Sequence, residues 1–232
     1  MNIAIIPARG ASQRIPRKNI KLFHGKPMLA WSIRAALDSG CFQKIIVSTD
    51  DDEIAMVARN NGAETPFVRP AELSDHHTGT NAVMLHALHW LINKGYSPEA
   101  VCCIYATAPF IQPTDLLNGL KLLNSQNLDY VFSATSYGFP IQRAFRVNPS
   151  GRVEMCQPEH LYTRSQDLEE TFHDAGQFYW GTKHAWLNSK PIFSLNAAPL
   201  LLPRHRVQDI DTPQDWLQAE QLFAILPKNT QI

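Results

Sequence analysis

The chain has 232 residues, 44% of them hydrophobic and 18% charged, and its 21 basic and 21 acidic side chains give a formal net charge of zero. A chain of this size can bury a substantial core, which disfavours intrinsic disorder and predicts one domain that needs no disulfide or metal to fold. Neutrality argues against a general affinity for nucleic acid or membrane surfaces. No apolar run approaches the roughly 20 residues of a membrane-spanning helix, so no membrane association is expected.

The zero net charge hides an uneven distribution along the chain. Seven Lys or Arg residues and no acid precede Asp38, which leaves 14 basic and 21 acidic side chains for the rest. The first 37 residues therefore carry +7 and the remainder −7. The net charge of the whole chain does not explain why so much positive charge lies in one short segment.

The N-terminus and the cysteines both favour a cytoplasmic protein. The apolar stretch at residues 3–8 has no basic segment before it, so it does not fit the pattern of a signal peptide. The four cysteines include no Cys-x-x-Cys pair, which indicates free thiols in a reducing compartment.

Strands alternate with helices in the pattern of the first 135 residues. Buried strands are predicted at residues 2–8, 44–49, 65–68, 101–105 and 129–135. Helices are predicted at residues 27–38, 51–61, 80–93 and 114–125. This alternation predicts a three-layer α/β fold with a mostly parallel, Rossmann-like sheet, whose ligand lies at the carboxyl ends of the strands.

The alternation breaks after residue 135. A hairpin is predicted from residues 144–147 and 151–156, and a polar, irregular segment follows to residue 175. Short apolar pieces at 178–180 and 185–187 precede a final helix that runs to about residue 226. The pattern predicts a single domain over residues 1–232, with residues 140–175 as a small inserted antiparallel lobe.

The loop after the first strand, residues 7–19, reads PARGASQRIPRKN and combines a glycine, a hydroxyl and several cations with no acid. Such groups suit a triphosphate, because fixed cations and N–H dipoles stabilise charge on phosphoryl oxygens. Neither a Walker A loop nor a dinucleotide glycine fingerprint is present. The loop therefore predicts phosphate binding, and a solvated basic loop is the alternative.

The sequence IPARGxSxRIPxKN at residues 6–19 resembles the signature loop of the cytidylyltransferases that activate nonulosonic acids. Further similarity lies in VSTD at 47–50, RPxxLS at 69–74 and DIDTP at 209–213. The segments YATAPF at 105–110 and HDAGQFYWG at 173–181 resemble the pseudaminic acid branch more than the sialic acid branch. The family commonly has Lys at the position of Gln13.

The resemblance implies a nucleotidyltransferase that joins CTP to a nine-carbon sugar acid, with pseudaminic acid as the expected substrate, and releases pyrophosphate. The anomeric hydroxyl attacks the α-phosphate in line. Arg9 and Lys18 match the catalytic cations on the triphosphate. Arg69 and Thr80 match contacts to cytosine, although Arg69 beside Pro70 has the alternative of a simple turn cation. The implied CTP-binding positions are Ala8, Arg9, Gly10, Ser12, Lys18, Asn19, Arg69 and Thr80.

Asp209 and Asp211 form a second pattern. Carboxylates at i and i+2 of an extended segment share one face and repel each other unless a cation lies between them. Mg²⁺ binds carboxylates together with substrate phosphates, so a magnesium site is expected here. The alternative is a solvated Asp209, with Asp211 as the N-cap of the last helix.

The resemblance also implies a sugar-acid site and a homodimer that forms through the inserted lobe. Arg143 and Arg164 are candidates to act across the dimer, although an arginine in an irregular surface segment is more often only solvated. The sugar-binding candidates are Thr107, Arg143, Arg164, His173, Gln177 and Tyr179. Two alternatives remain for the function: a CMP-N-acetylneuraminic acid synthetase, and an inactive nucleotide-binding protein, which only Gln13 supports.

Overall fold

The computed structural model describes residues 1–75 and 77–226. The strands in this part are β1 (Asn2–Pro7), β2 (Leu22–Phe23), β3 (Lys26–Pro27), β4 (Lys44–Ser48), β5 (Ala100–Ile104), β6 (Tyr130–Ser136), β7 (Phe145–Val147), β8 (Val153–Met155), β9 (Phe172–Thr182) and β10 (Ala197–Leu201). The α-helices are α1 (Met28–Ser39), α2 (Asp52–Asn60), α3 (Thr80–Asn93), α4 (Pro113–Ser125), α5 (Lys183–Leu187) and α6 (Pro213–Ile225).

Six strands form the central sheet in the order β10-β6-β9-β5-β1-β4. All neighbours are parallel except at β9, which is antiparallel to both β5 and β6. The prediction of an α/β fold with a mostly parallel sheet is therefore confirmed. Within residues 1–75 and 77–226, no helix is long and apolar enough to cross a membrane.

Alternating side chains of β1 divide the core into two layers, because successive residues of a strand point to opposite faces. Ala4 and Ile6 pack with residues of α1, α2 and α4, whereas Ile3 and Ile5 pack with residues of α3 and α5. These helices cover both faces of the sheet and complete the three layers. The carboxyl edge of β1, β4 and β5 is left accessible between them.

A third apolar cluster joins the first loop to the C-terminal helix. Ile15 and Phe23 pack there with Trp216 and Phe223 of α6, and Ile210 lies fully buried among them. The Phe23 ring meets the Trp216 and Phe223 rings edge to face at 5.5 and 5.2 Å. This cluster brings the first loop against the segment that carries Asp209 and Asp211.

Several predicted elements differ in the structure. The strand expected at residues 65–68 is absent, and Glu64 forms only an isolated parallel bridge with Ile46. Pro66 and Pro70 supply no N–H groups, so this segment cannot continue a ladder. The piece at 178–180 is the end of the longer β9, and the piece at 185–187 is helical in α5. The sequence pattern also missed β10, an edge strand that accommodates Pro199.

Candidate active site

A cleft of about 330 Å³ opens at the carboxyl ends of β1 and β5. The first loop forms one wall, and residues around the start of α3 and the end of β5 form the other. Eight of the predicted site residues line it: Arg9, Ser12, Lys18, Asn19, Arg69, Thr80, Thr107 and Asp211. The structure thus gathers most of the predicted nucleotide contacts, from five separate parts of the sequence, around one cavity.

Only three of the seven N-terminal cations line the cleft, namely Arg9, Arg14 and Lys18. The other four have contacts elsewhere: Arg17 pairs with Asp51 and Glu53, Arg34 with Asp38, and Lys21 and Lys26 lie over the Trp216 and Trp31 rings. The two acids raise the pKa of Arg17, chiefly through the Asp51 hydrogen bond. The positive segment therefore serves folding as well as the cleft.

Lys18 connects the first loop to the segment before α6. Its Nζ donates hydrogen bonds to the Ile210 carbonyl at 2.6 Å and to Asp211 Oδ1 at 3.2 Å. Arg14 pairs with the other oxygen, Asp211 Oδ2, at 2.8 Å. Two cations and one carboxylate thus meet at the cleft. An anionic ligand can displace the carboxylate and bind the same two cations.

The segment that follows β1, residues 8–10, is hydrogen-bonded to other parts of the protein. Arg9 Nη1 donates to the Asp75 carbonyl at 2.7 Å, and Ala8 N donates to the Ser48 carbonyl at 2.9 Å. The Gly10 amide donates to Asp50 Oδ1 at 2.9 Å, and a Cβ at Gly10 would lie 2.8 Å from Asp51 Oδ2. Ala8 and Gly10 do not line the cavity, so the structure supports a backbone role for both.

Asn19 shapes the loop from within. It is buried, and its Nδ2 donates to the Arg9 carbonyl at 2.9 Å across ten residues. The Asn19 carbonyl also accepts from Leu29 N at 2.9 Å in α1. The residue therefore holds both ends of the loop curved around the cleft.

Arg69 is buried at the floor of the cleft with 4% exposure. Its guanidinium donates to the Ser48 hydroxyl at 3.2 Å and to the Ser48 carbonyl. Burial lowers the pKa of Arg69 to about 10, so the side chain stays charged at neutral pH. The interpretation of Arg69 as a turn cation is wrong, because the side chain is directed inward.

Thr212, not Asp211, caps α6. Its hydroxyl accepts from Asp215 N at 3.2 Å, and Asp215 returns the interaction in a capping box. Ile210 is buried while Asp209 and Asp211 are not, so the two carboxylates lie on the face away from the apolar cluster. The alternative in which Asp211 serves as the N-cap is therefore wrong.

Of the two carboxylates, Asp211 lines the cleft and Asp209 does not. Their chemistry suits a Mg²⁺ ion that is also bound by a phosphate. Desolvation and then the nearby Asp211 carboxylate raise the pKa of Asp209, a shift that a bound cation would oppose. In the described part of the chain, no three His, Cys, Asp or Glu side chains form a closed metal site. Mg²⁺ accepts such an incomplete protein set, because it usually keeps waters and substrate phosphates as ligands.

The predicted sugar-binding residues separate into two groups. Thr107 lines the cleft at the end of β5, and Tyr179 is buried next to Tyr105, which also lines it. Gln177 is buried as well, but its Nε2 donates to the Arg206 carbonyl at 2.6 Å. Of the six sugar-binding candidates, only Thr107 belongs to the cavity lining. The candidates outside the lining are Arg143, Arg164, His173, Gln177 and Tyr179.

Arg143 and Arg164 are exposed on the inserted lobe, and Arg164 Nε pairs with Asp167 at 2.7 Å. His173 Nδ1 lies 2.9 Å from the Asp174 carbonyl. Within one chain, these three side chains therefore do not line the cleft.

Sequence reasoning did not single out Tyr105 and Arg206. Tyr105 follows β5 at the carboxyl edge, and this position was the signal that could have identified it. Arg206 forms a buried bidentate pair with Asp115 at 2.6 and 3.1 Å. The pair fixes the turn that precedes Asp209, and no sequence pattern indicates a partner 91 residues away.

The sheet with its cation-lined carboxyl edge defines an α/β nucleotide-binding fold. The fold is similar to the solved structure of a CMP:2-keto-3-deoxy-manno-octonic acid synthetase complexed with CTP, with a TM-score of 0.69. The similarity covers 96% of this chain and 98% of that chain at 17% identity, so it establishes the fold alone.

The chain belongs to the cytidylyltransferase family, whose model matches residues 3–220. It is 44% identical over 224 residues to the pseudaminic acid cytidylyltransferase of Campylobacter jejuni subsp. jejuni serotype O:23/36, a match that covers 97% of each chain. It is 34% identical to the N-acylneuraminate cytidylyltransferase of Oncorhynchus mykiss, over 94% of this chain and 49% of that protein.

Proposed function

We propose that the protein transfers CMP from CTP to a nonulosonic acid, with pseudaminic acid as the substrate and pyrophosphate as the second product. The observation that carries this proposal is the meeting of Lys18, Arg14 and Asp211 in the cleft that Arg69 and Thr80 also line. Family membership supports the CTP chemistry, and the higher identity to a pseudaminic acid enzyme than to a neuraminate enzyme supports the choice of sugar.

The cleft suits an in-line displacement. The anomeric hydroxyl of the sugar acid loses its proton to solvent and its oxygen forms a bond to the α-phosphorus, while the bond from that phosphorus to the pyrophosphate oxygen breaks. Lys18 is placed to stabilise charge on the α-phosphate, and Arg9 and Arg14 to hold the leaving pyrophosphate. Asp209 and Asp211 would hold Mg²⁺, which when bound supplies neutralisation of the phosphate charge.

The other wall of the cleft suits the nucleobase. Arg69 is charged, rigidly held by Ser48 and accessible from the cavity, so it can donate to the carbonyl oxygen and ring nitrogen of cytosine. Thr80 opens α3 beside it and presents a hydroxyl to the same space. Among the sugar-binding candidates, Thr107 lies in the lining of the same cavity.

Pyrophosphate release tests the proposed substrate. The purified protein with CTP and Mg²⁺ is expected to release pyrophosphate with pseudaminic acid, and at a much lower rate with N-acetylneuraminic acid. Omission of the sugar acid controls for CTP hydrolysis. Pyrophosphate release with N-acetylneuraminic acid but not with pseudaminic acid would make N-acetylneuraminic acid the substrate instead. Binding of CTP without release for any sugar acid would favour the inactive nucleotide-binding protein.

The inserted lobe carries an apolar surface that supports the proposed homodimer. β7 and β8 form a two-stranded ribbon in which Phe145 pairs with Met155 and Val147 with Val153. These side chains share one face, and Phe145, Val147 and Val153 are each at least 60% exposed. A two-stranded ribbon is marginal by itself, and a continuous apolar face of this kind is typical of an interface. We propose that the lobe packs against a second copy of the chain.

We also propose that the protein acts in the cytoplasm.

Substitution of Phe145 by aspartate is expected to shift the protein from a dimer towards the 26.1 kDa monomer. The charge would be buried in the interface without a partner, which disfavours association. Sedimentation velocity over a range of concentrations measures the effect. Leu195→Asp is the matched control, because Leu195 is fully exposed and lies outside the lobe. A monomeric wild-type protein, or equal effects of both variants, would contradict the proposal.

A further inference from the structure

The inserted lobe contains two consecutive parts of opposite charge. The first part, which we call the basic ribbon, spans residues 141–156 with β7 and β8, and its three arginines and one glutamate give a formal charge of +2. The second part, the acidic segment, spans residues 157–171, and its one arginine and four acids give a charge of −3. The lobe is therefore a bipolar surface on a chain whose net charge is zero.

Much of this charge is not compensated within the chain. In the basic ribbon Arg146 pairs with Glu154 at 3.0 Å. In the acidic segment Arg164 pairs with Asp167 at 2.7 Å. The other charged side chains of the two parts are exposed and form no ion pair with residues 1–75 or 77–226, namely Arg143, Arg152, Glu159, Glu169 and Glu170. The uncompensated charge is thus positive in the basic ribbon and negative in the acidic segment.

Each part also exposes apolar side chains near its charges. The apolar face of β7 and β8 lies between Arg143 at one end of the ribbon and Arg152 at the other. In the acidic segment Leu161 and Tyr162 are 49% and 93% exposed, and acids flank them on both sides in the sequence. A protein interface usually has an apolar centre and a polar rim. Each part therefore has the composition of one half of an interface.

Hydrogen bonds hold the two parts in a fixed relation. Gln142 is buried, and its Nε2 donates to the Glu169 carbonyl at 2.9 Å. The Cys156 amide donates to the Ala144 carbonyl at 2.9 Å and closes the base of the ribbon. A hollow of about 410 Å³ lies between the two parts, with Asp167 and Glu169 in its lining. This hollow offers carboxylates to a basic side chain that enters from outside.

We infer that the lobe binds a second copy of the chain about a two-fold axis, so that the basic ribbon of each copy lies against the acidic segment of the other. Both copies use the same surface in a two-fold interface, and if residue i contacts residue j, then j contacts i. A surface of one sign would repel itself there, whereas a bipolar surface is complementary to itself. The inference rests on the proposed homodimer and adds how the two copies face each other.

The charges decide the orientation of the copies more than the strength of the dimer. Apolar contact is not directional, so the exposed apolar side chains alone permit several arrangements. Exposed ion pairs contribute little to stability, but like charges that are placed together oppose association much more strongly. Reversal of the charges is therefore a sharper test than their removal.

Two double substitutions each reverse the sign of one part. Arg143→Glu with Arg152→Glu makes the basic ribbon acidic, and Glu169→Lys with Glu170→Lys makes the acidic segment basic. Each variant alone is expected to raise the dissociation constant of the dimer by at least about 100-fold, because like charges then face each other. Sedimentation velocity measures this constant at low and at high salt concentration, and the wild-type dimer should weaken as the salt concentration rises.

An equimolar mixture of the two variants separates charge pairing from damage to the fold. The acidic ribbon of the first variant then faces the basic segment of the second, and the basic ribbon of the second faces the acidic segment of the first. A dimer of wild-type affinity should return, which unfolded variants could not form. Lys94→Glu with Lys121→Glu is the matched control, because both lysines are exposed and lie outside the lobe, and it should leave the dimer unchanged.

Wild-type affinity in either variant alone, or a mixture that stays monomeric, would overturn the inference and leave the proposed homodimer intact. A monomeric wild-type protein would overturn both. Pyrophosphate release with CTP, Mg²⁺ and pseudaminic acid is measured on the same wild-type protein. Its absence, together with a restored dimer in the mixture, would remove the proposed activity and keep this arrangement of the lobe.

Discussion

Lys18→Ala is expected to lower kcat by about 10²- to 10³-fold and to weaken CTP binding far less. The Lys18 ammonium lies in the cleft, held by the Ile210 carbonyl and by Asp211. In this position it can stabilise the negative charge that develops on the α-phosphate as the leaving oxygen departs. Arg9 and Arg14 also line the cleft, and in the proposed function they would still bind the ground-state triphosphate. Steady-state pyrophosphate release gives kcat, and calorimetric titration with CTP gives the affinity.

Lys21→Ala is the matched control for this substitution. Lys21 belongs to the same basic segment, but its Nζ lies 4.2 Å above the Trp216 ring and not in the cavity lining. Its removal is expected to leave kcat close to the wild-type value, because a surface cation–π contact contributes little. Equal losses in kcat/KM and in CTP affinity for Lys18→Ala, with kcat unchanged, would assign Lys18 to uniform binding of substrate and transition state.

The position of the first loop could be predicted because local rules decide it. A buried strand at residues 2–7 must end at the carboxyl edge of the sheet, and the loop that follows it must lie there. The same rule places Thr107, which follows β5, near the loop, whereas Arg69 follows no strand and was indicated only by the family resemblance. The i, i+2 pattern likewise predicted that Asp209 and Asp211 share a face, since one buried residue between them decides the orientation.

The use of individual side chains could not be predicted, because long-range partners decide it. Arg17 looks equivalent to Arg14 in the sequence, but it has φ +56° and pairs with Asp51, 34 residues away. Gln177 looks like a ligand contact, but it holds the Arg206 carbonyl. No periodicity or spacing encodes these choices, which depend on how α2 and the turn before Asp209 dock onto the sheet.

The antiparallel β9 was missed for a similar reason. Its sequence, FHDAGQFYWGT, mixes polar residues and glycine with aromatic side chains, so only its last part has the apolar pattern of a strand. Its two partners, β5 and β6, supply hydrogen bonds along a length that its own hydrophobicity does not indicate. The register shift between Phe132 and Ala134 accommodates the turn at Gly176. This departure from regular pairing is also what places Asp174 within reach of Tyr179.

Asp211→Asn is expected to reduce activity by at least about 100-fold at a fixed, moderate Mg²⁺ concentration and to raise the Mg²⁺ concentration needed for half-maximal activity. The amide preserves the shape of the side chain, but it removes a negative charge that a divalent cation requires. The fold should be little affected, because Asp211 is 38% exposed and its pairs with Arg14 and Lys18 are screened by water. Magnesium titrations of pyrophosphate release, together with thermal unfolding of the metal-free protein, measure the two effects.

Glu64→Gln is the matched control, since Glu64 pairs with Lys44 on the surface and does not line the cleft. It should change neither the activity nor the magnesium requirement. If Asp211→Asn lost activity but kept the wild-type magnesium requirement, Asp211 would act by orienting Lys18 and Arg14 and not as a metal ligand. A magnesium requirement that rises in Asp209→Asn as well as in Asp211→Asn would assign the ion to the pair, because two carboxylates on one face bind it together with the phosphates.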